Sequence, residues 1–501
     1  MARLIQWQLF IKWNPAGSYV DESAHLLGAE GEMSFVPAEE ALLSSGRGVV
    51  DSCALTLRNG GGRFSPLNEA GPLYSYIQAG GAYRASVYLR VSIDGGATWA
   101  RVFTGVAKIP QEVGPTWREG PTVRIECRSM DELALQKRGS TPLSTFQGYH
   151  DGAYNEAQII DALLASAGVT SRQIDAGTIT IPWAWLDDES VLEECWALAA
   201  ACGGRVYADP DGVTRYENFY HWTTAPHTTS QETLSFAAGH YQTLTPVYAD
   251  GDLYSTVTVE HSSRQVGTAD KLWTPDDPVS VPPLGSKKIV ARLRQPAYTI
   301  DAPVVKATGA GGEDLTSSVS VACIYYAQRV EITLSNSHVT KTAFIANLRL
   351  TGRPLVGGPT QEVTRNTTDD GNNAAWWSGR GERTKSLRGN AYIQSEAQAD
   401  MVARFLLHRL ERPRLTFKLG GCLGKPARRL GDKITINDGG VMTSARDAFI
   451  TSIKWQLNDS GFVQDIEAID AAQMHPYGSY FVLGTNKLGA GGGSLTAPIF
   501  Y

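Results

Sequence analysis

Alternation of apolar and polar residues with a period of two dominates the first 150 positions. Near the start, Trp7, Leu9, Ile11 and Trp13 alternate with Gln6, Gln8 and Lys12, which predicts a half-buried strand over about 4–13. A second strand runs from Val49 to Asn59 and ends in a glycine-rich corner and Pro66. Tyr83 to Ile93 and Ala97 to Val106 read as a hairpin, Thr122 to Ser129 as a further strand, and Met130 to Lys137 as a short helix.

The period changes at residue 155. Ile160, Leu163, Leu164 and Ala167 fall on one helical face, behind an Asn155 cap with Gln158 at the capping-box position. A second helix is predicted to start at Asp187 or Asp188, with Val191, Leu192, Cys195, Trp196, Ala199 and Cys202 at helical spacing. Gly203 and Gly204 end it, and Arg205–Ala208 and Val213–Glu217 form a hairpin over the turn Asp209-Pro210-Asp211-Gly212. From about 225 to 390 short strands return, among them Leu253–Glu260, Lys288–Leu293, Val319–Tyr326, Val330–Leu334 and Ala343–Leu350. That spacing suggests a sandwich or jelly roll. Beyond it, Ser395 caps a helix with Gln398 at the box position, and strands follow to residue 475. The chain is therefore expected to be mainly β with an α/β module, in several domains. The units are a mainly β unit at 1–150, a helix-helix-hairpin module at 151–235 and an inserted β-sandwich at 236–390. A compact mixed unit with a helix covers 391–475, and a glycine-rich arm covers 476–501.

Three stretches carry a family resemblance. "VVDSCALTLRNGGGRFSP" supplies Leu55, Leu57, Asn59, Gly62, Arg63, Phe64, Ser65 and Pro66, and resembles an N-terminal segment recurrent in siphophage tail-tip proteins. Residues 155–217, two helices running into "GGRVYADPDGVTRYE", resemble a segment of phage tail hub (baseplate hub) proteins. The helix, "RPR" strand, "LGD" and strand pair of 395–470 resemble the closing domain of the same family. The resemblance implies hub-type barrels in a ring, most simply a homotrimer at the tip of a long phage tail. It also implies a channel that joins the tail tube and tape measure to the receptor-binding apparatus. A separate resemblance is confined to one turn. Ser92, Asp94, Gly96, Thr98 and Trp99 match the Asp box of sialidases, whose aspartate braces a hairpin and does no chemistry.

Composition narrows the remaining classes. Charged residues make up 19%, below the roughly 25% of typical globular chains, as extensive interfaces would produce. The net charge of −6 is spread without like-charged blocks, so no stable nucleic-acid binding is expected. Cys53, Cys127, Cys195, Cys202, Cys323 and Cys422 form no C-x-x-C pair and read as reduced thiols. The opening MARLIQWQLFIKW lacks a signal peptide's apolar core, and no apolar run reaches a membrane span, so assembly in a host cytoplasm is expected.

The sequence offers little catalytic chemistry. The nine histidines show no H-E-x-x-H spacing; His221 and His227 lie in one turn region without further ligands in sequence. Asp187, Asp188, Glu189, Glu193 and Glu194 could pair for glycan cleavage, but their place at a helix start favours a role against the helix dipole. No catalytic, metal or cofactor set is expected. Trp376 and Trp377 are the candidates for glycan or partner contact, and Ile499, Phe500 and Tyr501 for docking on a neighbouring subunit. The expected function is a virion structural protein, the tail hub, with a distal tail protein or tail tube, the tape measure, a receptor-binding or fibre protein and transiently passing DNA as partners. The alternatives are a carbohydrate-binding receptor protein and a tail-associated cell-wall hydrolase.

Overall fold

The computed structural model describes residues 4–35, 46–47, 49–74, 77, 85–114, 120–131, 137–149, 154–249, 253–367, 377–440 and 442–473. One sheet of 14 strands draws on both ends of the sequence. Its first group is β1 Gln6–Lys12, β2 Val20–Asp21, β3 Leu26–Phe35, β4 Val49–Arg58, β5 Ala85–Ser92, β6 Ala100–Ala107, β7 Gln111–Val113 and β8 Thr122–Ser129. The second is β9 Glu232–Ser235, β10 Thr243–Ala249, β11 Arg414–Leu423, β12 Lys433–Asn437, β13 Arg446–Asn458 and β14 Gly461–Asp470. The order across the sheet is β10-β11-β14-β13-β3-β4-β8-β6-β5-β1-β2; β12 pairs β13 and β9, and β7 pairs β8.

The sheet has two halves, β1–β8 and β9–β14, joined at a seam, and the second half draws strands from 232–249 as well as from the expected 391–475. There β3 and β13 run antiparallel, from Ala29 opposite Leu457 to Ser34 opposite Ser452. The period-two pattern decides what each face becomes. In β8, Val123, Ile125 and Cys127 are buried while Arg124, Glu126 and Arg128 are exposed; in β14, Phe462, Gln464 and Ile466 are buried while Val463 and Asp465 are exposed. The inward residues of both halves form one continuous core that runs from Leu9 through Leu55 and Phe103 to Phe417, Ile453 and Ile466.

A second core lies in the α/β module and its surroundings. Helices α1 Leu143–Tyr149, α2 Glu156–Ser166, α3 Val191–Ala200 and α4 Glu396–Leu410 occur in that chain order. The core joins α2, α3 and α4 to the hairpin Arg205–Glu217 and to strands Thr256–His261, Gln361–Asn366 and Thr384–Leu387. The Asn155 capping box forms in full, with Gln158 N–H donating to Asn155 Oδ1 at 3.0 Å and Asn155 N–H donating to Gln158 Oε1 at 2.9 Å. At α4 only half the expected box forms. Ser395 Oγ accepts from Gln398 N–H, but the Gln398 side chain turns to Gln394 N–H and to the Ala201 carbonyl.

The expected start of α3 at Asp187 or Asp188 is corrected. Asp187–Ser190 is a strand paired with Arg138–Ser140, and Asp188 sits at a φ of 58°, incompatible with a helical turn. Ser190 is the cap, accepting from Glu193 N–H at 3.3 Å. Gly203, at a φ of 69°, closes the helix as expected. The expected helix at 130–137 falls largely outside the described residues.

The span 236–390 divides three ways among the sheets. Thr243–Ala249 joins the large sheet as β10, and Thr256–His261 with Gln361–Asn366 and Thr384–Leu387 packs on α4 in the second core. Residues between Arg264 and Gly357 form a two-layered unit with its own core of Val281, Ala291, Val330, Ile332, Leu334, Leu348 and Leu350. The chain enters and leaves that unit side by side, with Arg264 opposite Gly357. It rests on the body through Phe146, Trp183 and Leu355, with Trp185 Nε1 donating to Gln328 Oε1 at 2.8 Å.

Two outcomes follow from these contacts. A Cβ at Gly31 would lie 2.4 Å from the Trp455 ring and 2.8 Å from the Ser52 carbonyl. Gly31→Ala is therefore expected to lower stability by about 1–3 kcal/mol, read as an earlier urea midpoint; an unchanged midpoint contradicts close packing at the seam. Replacing residues 264–357 by a short turn should leave a folded body, because entry and exit already meet. Loss of the cooperative melt of the body would show that the unit is integral to it.

Candidate functional site

The outward residues of the seam strands build a shallow trough of ≈ 630 Å³ on the solvent face of the sheet. Glu30, Glu32, Glu126 and Asp465 line it together with Lys108, Arg124, Arg128 and Lys454, so four acids meet four bases. Arg124 pairs with Glu30 at 2.7 Å, Lys108 with Glu126 at 3.0 Å and Lys454 with Glu32 at 3.4 Å. Farther along, Lys418 pairs with Glu467 at 3.2 Å. Such exposed pairs add little stability, on the order of 0–1 kcal/mol each. Their effect is a surface dense in charge with no net sign across the trough, which gives a polyanion nothing to bind tightly.

The turn Asp209–Gly212 braces this surface from behind. Pro210 accepts from Thr104 Oγ1 of β6 at 2.6 Å, and the Asp211 carbonyl accepts from Arg101 Nη1 at 3.0 Å. Arg429, from the other half, donates to Asp211 Oδ2 at 3.0 Å and to the Arg101 carbonyl at 3.2 Å. One tip of the α/β module thus ties both halves together. Asp51 of β4 is buried nearby, and burial and the charge of Asp131 push its carboxyl well above the usual carboxylate range, against the pull of Arg429.

The most specific sequence motif is structural. Asn59 Oδ1 accepts from Phe64 N–H at 2.8 Å, Phe64 is fully buried, and Arg63 pairs with the buried Glu22 at 2.8 Å. Glu22 also accepts from Trp13 Nε1 at 2.9 Å. The Asp box is a braced turn, with Thr98 N–H donating to Asp94 Oδ1 at 2.9 Å and Gly95 and Gly96 both at positive φ. Hydrogen bonds from Ser92 and Thr98 hold the Asp94 carboxyl well below its ordinary value.

Among the expected site residues, Trp377 is half-buried and its Nε1 donates to the Glu411 carbonyl at 2.8 Å. Trp376, Ile499, Phe500 and Tyr501 lie outside the described residues. The acidic set does not converge on a cleft. Glu194, with a carboxyl pushed up to about 8 by burial and by Glu189 and Glu193, receives the Tyr392 hydroxyl. Among the described residues no His, Cys, Asp or Glu cluster is arranged to hold a metal, and no helix is long and apolar enough to cross a membrane. The six cysteines are free, five of them buried.

Glu22 and Glu156 are among the buried acids that sequence reasoning missed. Glu22 carries no local signal, because its partners Trp13 and Arg63 lie on other elements. Glu156 is fully buried at the first turn of α2, where it accepts from Thr178 N–H at 2.7 Å, Ile179 N–H at 2.8 Å and Tyr216 OH at 3.1 Å. Its position just behind the cap fits a helix-dipole partner and carries no sign of burial.

The sequence matches no protein-family model and no curated protein. Among solved structures, the chain is similar to the tail protein from Neisseria meningitidis MC58, with a TM-score of 0.49, 9% identity, and coverage of 94% of this chain and 98% of that one. It is also similar to the 43 kDa tail protein of prophage MuSo2 from Shewanella oneidensis, at a TM-score of 0.44, 12% identity, and 93% and 99% coverage. A third is an Escherichia coli component of the type VI secretion system described as similar to the T4 bacteriophage tail proteins gp27 and gp5, at a TM-score of 0.37, 8% identity, and 94% and 79% coverage. The solved structures this chain is similar to thus include phage tail proteins.

His221 and His227, six apart in one turn region of the sequence, meet with their Nε2 atoms 3.2 Å apart. Asp175 Oδ2 lies 2.8 Å from His221 Nδ1, Glu217 Oε1 lies 3.4 Å from His221 Nε2, and Arg205 pairs with Glu217 at 3.4 Å. Burial pulls His221 down, but the Asp175 hydrogen bond and the Glu217 charge outweigh it and raise its pKa; burial and the neighbouring His221 lower that of His227. The signs are opposite. The His221 contribution is present in full below the ordinary value of 6.5 and fades as pH rises through its raised folded value. The His227 contribution is present above 6.5 and fades as pH falls toward its depressed folded value. The variant His227→Gln should therefore lose less melting temperature than the parent between about pH 6.5 and pH 5; parallel losses in the two proteins would remove His227 from the acid response.

Proposed function

We propose that the chain is a structural tail-hub subunit at the tip of a phage tail. In this reading it forms a homotrimeric ring between the tail tube or distal tail protein and the receptor-binding or fibre proteins, and its lumen passes the tape measure and then DNA. The observation that carries the reading is the continuous 14-stranded sheet, in which one chain supplies two units side by side with a shared charged face. Three copies then offer six units, the number that matches a six-fold tube. The three stretches with the hub resemblance support it, since they contribute β4 and its corner, the brace at Asp209–Gly212, and α4 with β11 to β14.

Ring closure needs unpaired edges, and β10 has one. Its sole partner among the described strands is β11, Pro246 within it lacks an N–H to offer, and Tyr248 is 65% exposed. A sign-balanced lumen lets a phosphate chain move, because tight binding needs an excess of basic groups. No catalytic step belongs to this role.

Light scattering on the full chain should give three copies per particle, alone or on a tail tube. A stable monomer at micromolar concentration that also fails to assemble on a tube overturns the proposal. The pair Val247→Asp and Tyr248→Asp, both exposed at the β10 edge, should shift particles toward monomer by roughly tenfold in dissociation constant or more, with the melt unchanged.

A further inference from the structure

The unit between Arg264 and Gly357 has a charge opposite to the rest of the molecule. It contains 11 Lys and Arg against 7 Asp and Glu, a net of +4, while the whole chain carries 45 against 51, a net of −6. The remainder is therefore at −10. A basic unit on an acidic body presents the attractive surface to anionic partners, because the body is repelled and the unit attracted.

The positive charge concentrates on one sheet. Strand Arg329–Asn336 lies between Ser286–Arg292 and Val319–Tyr325, with one face on the core and the other exposed. On the exposed face Arg292 stands directly opposite Arg329, Lys288 opposite Thr333, and Val290 opposite Glu331. Glu331 pairs with Lys288 at 2.8 Å and approaches Arg329 at 3.6 Å. Arg292 and the exposed Arg294 have no ion pair among the described residues. The Arg329 guanidinium lies 4.7 Å from the centre of the Tyr326 ring, and its buried Nε has no hydrogen-bond partner.

Lysine and arginine on an edge strand also serve to block unwanted sheet pairing. That accounts for Lys288 and Arg292 but not for Arg329, which is in the central strand. Like charges placed directly opposite each other cost stability, and a shared anion removes that cost. The rest of the face narrows the partner's chemistry. Ser320, Ser335 and Thr333 give hydroxyls, and Val290, Ala322 and Ile324 complete a flat surface whose nearby ring, Tyr326, is part-buried beneath the Arg329 guanidinium. Without a stacking platform the face does not suit single-stranded nucleic acid, and no helix or ribbon projects to enter a duplex groove.

We propose that this face binds a phosphate-bearing polysaccharide, with Arg292, Arg294 and Arg329 holding phosphates and the Ser and Thr hydroxyls meeting sugar hydroxyls. Guanidinium groups suit this because they bind phosphate through paired hydrogen bonds. The proposal does not rest on ring assembly and is tested on the full chain in either oligomeric state.

The probe is polyglycerol phosphate, titrated calorimetrically in about 50 mM salt, with neutral dextran and a DNA duplex of equal phosphate content as comparisons. The parent should bind the polyglycerol phosphate, lose affinity steeply by about 200 mM salt, and ignore dextran. The double variant Arg292→Glu, Arg294→Glu should bind at least about tenfold more weakly with an unchanged melt, and Arg292→Lys, Arg294→Lys should retain part of the affinity. If the charge reversal does not fold, Arg292→Gln serves in its place. Absence of binding by the parent, or equal binding by parent and variant, overturns the site. Equal or tighter binding of the duplex overturns the polysaccharide and makes the face a nucleic-acid surface.

Discussion

Everything else in this structure depends on the antiparallel pairing of β3 with β13. It brings residues 29–34 against residues 452–457 and turns two groups of strands into one sheet. Side chains alternate along both strands, so the register also decides which residues meet the core and which line the trough. A slip of one residue would bury Glu30 and Lys454 and expose Met33 and Ile453, a change no core tolerates. Gly31 fixes the approach by leaving room for the Trp455 ring beside the β4 backbone.

The α/β module follows from that arrangement. Its hairpin tip reaches β6 through Thr104 and the opposite half through Arg429, so it stabilises the angle between groups of strands that already share a core. Trp222 continues the connection, stacked on Phe449 at 5.1 Å and beside Phe35 at 5.5 Å, with Arg205 4.3 Å from both ring centres of Phe35 and Trp222. Buried ionic groups in such a position contribute to a defined geometry more than to net stability.

What could be read from the sequence was local. The Asn155 box, the Gly203 stop, the Asp209 turn and the Asp-box turn each involve residues a few positions apart, and each forms. The start of α3 was misread because Asp187 and Asp188 have good helix-start chemistry, while a partner strand at 138–140 holds them extended. Thr243–Ala249 was legible as chain near a strand-rich span, but not as part of the large sheet, since its partner β11 is distant in sequence. The trough was invisible for the same reason. Its acids and bases come from four strands and from Lys108 just past the end of β6, and no window of sequence contains more than a few of them. Trp377 was a fair candidate on composition, and its bond to the Glu411 carbonyl gives it a structural role.

The two ways in which strands join here differ mechanically. In the seam, hydrogen bonds lie perpendicular to two long strands. Tension along those strands therefore shears many bonds at once, and they must fail together. The neck of the 264–357 unit is a short antiparallel pair pulled from one end, at Arg264 and Gly357, so its bonds open one after another like a zipper. A pull on that unit is therefore expected to open the neck bond by bond, at a lower force than shearing the seam would need. The two joints differ in how they fail, the neck stepwise and the seam all at once.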